Sequence, residues 1–84
     1  MKPIRLSHHA LLQCQQRGTN ADEVRQAIQE GTREPAKKDR VLCRLNLQYN
    51  GVWQGERYAI KQVAPVIVEQ TDEIVVVTVY TFFF

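Results

Sequence analysis

The sequence predicts an α+β domain in which two N-terminal helices pack on a three- to four-stranded antiparallel sheet. Three observations carry that expectation. Residues 8–17 and 21–30 each follow a capping residue and end at or next to a glycine. The hydrophobic period changes to two at Val41. The closing stretch, "IVVVTVYTFFF", is almost entirely β-branched or aromatic.

Each element has its own warrant. Ser7 can cap the first helix with its hydroxyl, and Gly18 can supply the left-handed residue that ends it. Asn20 caps the second, Glu23 stands three residues on, and Gly31 follows the last turn. Val24, Ala27 and Ile28 fall at the i, i+3, i+4 spacing of one buried face. Around Arg33 to Pro35 a short extra strand fits before "RVLCRLNLQY", where Val41, Cys43, Leu45 and Leu47 alternate with more polar neighbours. Asn50-Gly51 signals a turn and Gly55 a second permissive point. "RYAIKQVAPVIVE" resumes the strand pattern, with Pro65 placing either a bulge or a sheet edge there. "TDE" then turns the chain into the final, best-buried strand, whose Val75, Val77, Val79, Thr81 and Phe83 form the expected floor for the helices.

At 84 residues and 44% hydrophobic content, the chain is one domain, residues 1–84. No run approaches the roughly twenty apolar residues that span a bilayer, and the opening residues lack the apolar core of a secretory signal. No membrane partner and a cytoplasmic home are expected. Cys14 and Cys43 are too few and too far apart for a metal knuckle, and read as reduced, buried thiols. The net charge of +2 hides a segregation. Residues 33–61 carry Arg33, Lys37, Lys38, Arg40, Arg44, Arg57 and Lys61 against Glu34, Asp39 and Glu56, and only acids follow. Such a basic middle suits either an RNA or DNA backbone or a solvated strand and loop.

His9, Gln13 and Arg17 lie at i, i+4 and i+8 on the first helix and form one polar row, leaving Leu11, Leu12 and Cys14 to face the sheet. His9 is the candidate proton carrier, because an unperturbed imidazole titrates near pH 6.5. On the last strand Thr78, Tyr80 and Phe82 share a face with Ile74 and Val76. Lys61 is expected near Tyr80, where a cation, a phenol and a hydroxyl would suit a phosphate; alternatively, it guards a sheet edge. No nucleotide, metal or activated-thiolate motif is present, so no cofactor or metal is expected.

"SHHALLQCQQRGTNADEVRQAIQEG", "YAIKQVAP" and "VVVTVY" together resemble the domain of unknown function 4258 family, from about Ile4 to Phe82. The resemblance implies a RelE/barnase-like fold and an RNA-cleaving, toxin-like activity. It matches His9 to the family histidine, Arg17 to the arginine before glycine, and Thr78 and Tyr80 to the polar positions of the last strand. Gln13 stands where many relatives carry arginine. Two functional expectations follow. One is a metal-independent endoribonuclease with His9, Lys61 and Tyr80 as catalytic groups and Arg17, Gln13, Arg44 and Thr78 on the phosphate. The other is a noncatalytic RNA-binding or protein-interaction module, with RNA, an antitoxin-like protein or a second copy as partner. The three terminal phenylalanines motivate the protein-interaction version.

Overall fold

Ser7 separates a strand from a helix. Its hydroxyl accepts from the Ala10 N–H at 3.1 Å, and its own N–H donates to the Val76 carbonyl at 3.0 Å. The computed structural model describes residues 1–84. In chain order the elements are β1 (Ile4–Leu6), α1 (His8–Gln16), α2 (Ala21–Glu30), β2 (Thr32–Ala36), β3 (Arg40–Trp53), β4 (Glu56–Glu69) and β5 (Ile74–Phe83). Asn20 caps α2 as its sequence requires, accepting from the Glu23 N–H at 2.9 Å.

The α+β class stands, with a correction to the sheet. It has five strands, not three or four, in the order β1-β5-β4-β3-β2, and it is mixed. β2 through β5 form an antiparallel meander, while β1 pairs in parallel with β5, Ile4 opposite Ile74 and Leu6 opposite Val76. A three-residue strand is too short to show a period, and its partner lies some seventy residues away.

The strands also correct two expectations about turns and faces, and decide between the bulge and the edge at Pro65. Asn50-Gly51 is not a turn; β3 runs through it with a register shift between Gln48 and Gly51, and the hairpin turns at Gln54 and Gly55, both at positive φ. β4 is central rather than an edge, and the sheet irregularity falls beside Pro65, between Val66 and Ile67. There β5 carries one extra residue, Val77, so its alternation changes phase. Ile74 and Val76 therefore join Val79 in the core, and the expected all-valine floor is split across the bulge. Beyond the bulge the pattern holds, and Thr78, Tyr80 and Phe82 face away from the helices.

Both helices lie on one face of the sheet, α1 along β5 and α2 across β3 and β4. The core between the layers is Ala10, Cys14, Val24, Ala27, Ile28, Cys43, Val63, Ile67, Ile74, Val76 and Val79. Burial raises the pKa of both thiols, aided at Cys14 by the Glu23 charge and opposed at Cys43 by Arg33, so neither is an activated nucleophile. The opposite face of the sheet carries no helix.

Candidate functional site

The site begins at a gap in the sheet. β1 covers only Ile74–Val76 of β5, so beyond the bulge the outer edge of β5 has no neighbouring strand. Side chains of α1 take that place. The Gln13 amide oxygen accepts from the Val79 N–H at 2.8 Å, and Arg17 Nη1 donates to the Val79 carbonyl at 2.8 Å. Their i, i+4 spacing lets one amide and one guanidinium satisfy both backbone groups of one residue. The Thr81 hydroxyl completes the clasp by donating to the Arg17 carbonyl at 2.7 Å.

This arrangement revises the expected polar row. Gln13 is buried at 6% exposure, whereas Leu11 and Leu12, expected against the sheet, are 47% and 45% exposed. The helix is rotated so that its edge-capping amide points inward and its leucines outward. Cys14 faces the core as expected. His9, in the first turn, is exposed and lies about 12 Å along the helix from Arg17 by the rise per residue.

Lys61 is not beside Tyr80. It sits on the helix-covered face, where its ammonium lies 2.7 Å from Glu23 Oε1, donates to the Gly18 carbonyl at 3.0 Å and stands 5.3 Å from the Tyr49 ring centre. Thr19 donates to the same Glu23 oxygen at 2.8 Å. Lys61 thus pins the α1–α2 connection to the sheet; β4 is central, so it is not an edge guard either. His9, Lys61 and Tyr80 occupy three separate places: an exposed helix start, a partly buried ion pair and the bare face.

What the structure does bring together lies on the bare face. Tyr80 and Phe82 are 43% and 44% exposed, with ring centres 6.4 Å apart and planes inclined by only 25°. The Arg17 guanidinium carbon lies 5.2 Å from the Tyr80 ring centre, and that of Arg44 5.7 Å from Phe82. Arg44 is further held by Glu34 at 3.1 Å and by the Gln62 amide oxygen at 2.9 Å. A shallow groove continues from Tyr80 past Thr78, Val66 and Leu42 to Lys37 and Arg40. Lys37 and Arg40 flank a tight connection in which Lys38 and Asp39 both adopt positive φ.

At the other side of Tyr80 a cleft of about 260 Å³ opens between the end of α1 and the β3–β4 hairpin, lined by Gln16, Arg17, Trp53, Gln54, Tyr80, Thr81 and Phe83. Trp53 stacks on Phe83 with ring centres 5.1 Å apart and planes 14° apart, fixing the cleft wall. Gly18 makes that approach possible, because a Cβ there would lie 2.6 Å from the Trp53 ring, and its φ of +73° suits glycine.

Of the sequence candidates, Arg17, Tyr80, Thr78 and Arg44 therefore share the bare face or its rim. Gln13 supports Arg17 from within, and His9 and Lys61 lie elsewhere. Phe82, Lys37, Arg40, Trp53 and Gln54 are additional members of the site. The alternation of β5 placed Phe82 beside Tyr80, and only the sheet register brings the other four near. No protein-family model matches the chain, and neither a curated protein nor a solved structure matches it significantly.

Proposed function

We propose that this domain is a noncatalytic RNA-binding module that uses the bare face of its sheet. The observation that carries this reading is the pair of exposed, nearly parallel rings of Tyr80 and Phe82, each with a guanidinium within stacking distance. Base–aromatic stacking and charge attraction to phosphate are the two interactions that hold a nucleic-acid strand on a protein sheet. Lys37, Arg40, Arg44 and Arg17 surround the rings, and Glu34 is paired with Arg44, leaving Asp39 at the Lys37–Arg40 connection as the nearby acid. The resemblance to the domain of unknown function 4258 family, and through it to RelE/barnase-like RNA-directed toxins, supports RNA as the nucleic acid. An antitoxin-like partner belongs to that resemblance alone.

The endoribonuclease reading draws less support from the geometry. Transesterification needs a proton acceptor and a charge stabiliser at one phosphate. His9 is remote from Arg17, and Lys61 is consumed by Glu23 on the other side of the sheet.

The test is RNA binding across a salt series in excess EDTA, followed by a denaturing gel of the same samples. Counterion release gives log K a slope of about −0.7 per phosphate contact for single strands. The wild type is expected to show a slope of about −2 to −3, and Lys37→Gln with Arg40→Gln should flatten it by about 1.4, with the RNA intact. Absence of binding at low salt contradicts the proposal. Cleavage that His9→Ala abolishes would restore the catalytic reading.

A further inference from the structure

The edge of β5 beyond Val79 carries backbone groups with no partner. Ile60 and Phe84 exchange both backbone hydrogen bonds, at 2.8 and 3.0 Å. Antiparallel pairs alternate between bonded and non-bonded, so Gln62 with Phe82 and Ala64 with Tyr80 are the bonded pairs further along the ladder. Val79, Thr81 and Phe83 then direct their N–H and C=O away from β4. Val79 is satisfied by Gln13 and Arg17. The groups of Thr81 have no such cap, and Thr81 lines the cleft together with the exposed amides of Gln16 and Gln54. An amide and a free strand edge each offer a donor and an acceptor side by side, which is the complement of a base edge.

The aromatic pair has a matching periodicity. Residues i and i+2 of a strand are about 6.8 Å apart, and the Tyr80 and Phe82 rings are 6.4 Å apart. That is about twice the 3.4 Å per-strand repeat of a stacked helix. A paired or helically stacked strand cannot place successive bases on both rings. A splayed one can.

Resting on the RNA-binding reading, we infer that the ligand is an unpaired RNA strand laid along β5, with one base on Phe82, one on Tyr80 and one turned into the cleft beside Arg17. Arg17 is suited to the junction. One of its nitrogens is spent on Val79, leaving donors free for a phosphate or base while the clasp holds the side chain in place. The cleft gives the site a means of choosing among bases, which stacking alone does not.

Fluorescence anisotropy of labelled RNA tests this, comparing a mixed eight-nucleotide single strand with the same strand annealed to its complement at low salt. The single strand is expected to bind at least tenfold tighter. Tyr80→Leu and Phe82→Leu, which keep apolar bulk but remove the ring, should each weaken it by about 5- to 150-fold. Gln54→Ala, at the exposed hairpin tip, should narrow the spread of affinities among four strands differing in one base while leaving the folded structure unchanged by circular dichroism. Equal affinity for the duplex, or leucine variants that bind like the wild type, would overturn the inference and leave RNA binding by charge in place. An unchanged base spread in Gln54→Ala would overturn the cleft's part. No binding of either RNA would overturn the inference and the reading beneath it together.

Discussion

The two faces of this sheet are made from the same strands and differ in nearly every physical respect. On the covered face Val63, Ile67, Val76 and Val79 are fully buried beneath the helices. Lys61, the one charged residue that is buried, lies there matched by a carboxylate, a carbonyl and an aromatic ring. On the bare face the aromatic rings stand in solvent, and three of the four cations around them have no carboxylate within ion-pairing distance. Exposing aromatic surface and unpaired like charges adds nothing to stability. The covered face therefore reads as the part that makes the domain fold, and the bare face as the part left available for a partner. The clasp of Gln13 and Arg17 joins the two. It closes a sheet edge from the covered side and delivers a guanidinium to the rim of the other.

The contrast can be broken where the covered face is deepest. Ile67→Ala removes a fully buried side chain beside Val76 and should cost about 3 kcal/mol, read from urea unfolding. RNA affinity measured well below the unfolding midpoint should be unchanged. Lost affinity in a folded Ile67→Ala protein would blur the division between faces.

A smaller effect is expected at the Lys61–Glu23 ion pair. Lys61→Met keeps the apolar stem but leaves the Gly18 carbonyl without its donor and Glu23 with only Thr19, at a cost of about 2 kcal/mol. Gln13→Leu strands the buried Val79 N–H and should cost about 1.5 kcal/mol. It also sharpens the comparison, because loosening the clasp should weaken RNA binding through Arg17 as well as stability. A stability loss of that size with unaltered affinity would confine Gln13 to the covered face.

The smallest effect is at the surface. Hydrogen bonds from Arg5 lower the pKa of Glu73, and those from Lys2, then Arg33, lower that of Glu69. Carboxylates with depressed folded-state pKa values stabilise above their unfolded value, near 4.3, and lose that contribution as pH falls through the folded value. The urea midpoint should therefore decline slightly below about pH 5. Arg5→Ala should make the decline shallower, and salt should do the same to the wild type. A midpoint that rises on acidification would show that these pairs do not form.

The parts of the fold that the sequence discloses are those encoded by neighbours in the chain. Ser7 and Asn20 cap the two helices, and the period change at Val41 opens β3, because capping and alternation are local. β1 was hidden because three residues carry no period and its parallel partner is remote in sequence. Asn50-Gly51 misled because positive φ serves a bulge as well as a turn, and the hairpin used Gln54-Gly55 instead. The extra residue at Val77 could not be read from a run in which every position is β-branched or aromatic, since either face of such a strand can be buried. The same blindness governed the site. Alternation puts Thr78, Tyr80 and Phe82 on one face, which is where they lie beyond the bulge. Ladder distance along the strands brings Lys61 towards Tyr80 but does not give its side, and its partner Glu23 comes from a helix. Gln13 looked like a surface amide because nothing in a helical wheel shows that an uncovered strand edge needs a donor and an acceptor.

The most direct test of the division between faces is a backbone amide NMR titration with an unpaired RNA octamer. The account predicts shifts concentrated at Thr78 to Phe84, Arg44, Arg17 and the Lys37 to Arg40 connection, with α2 and the first turn of α1 at His9 unmoved. Shifts centred on His9 and the outer surface of the helices, with β5 unmoved, would contradict it.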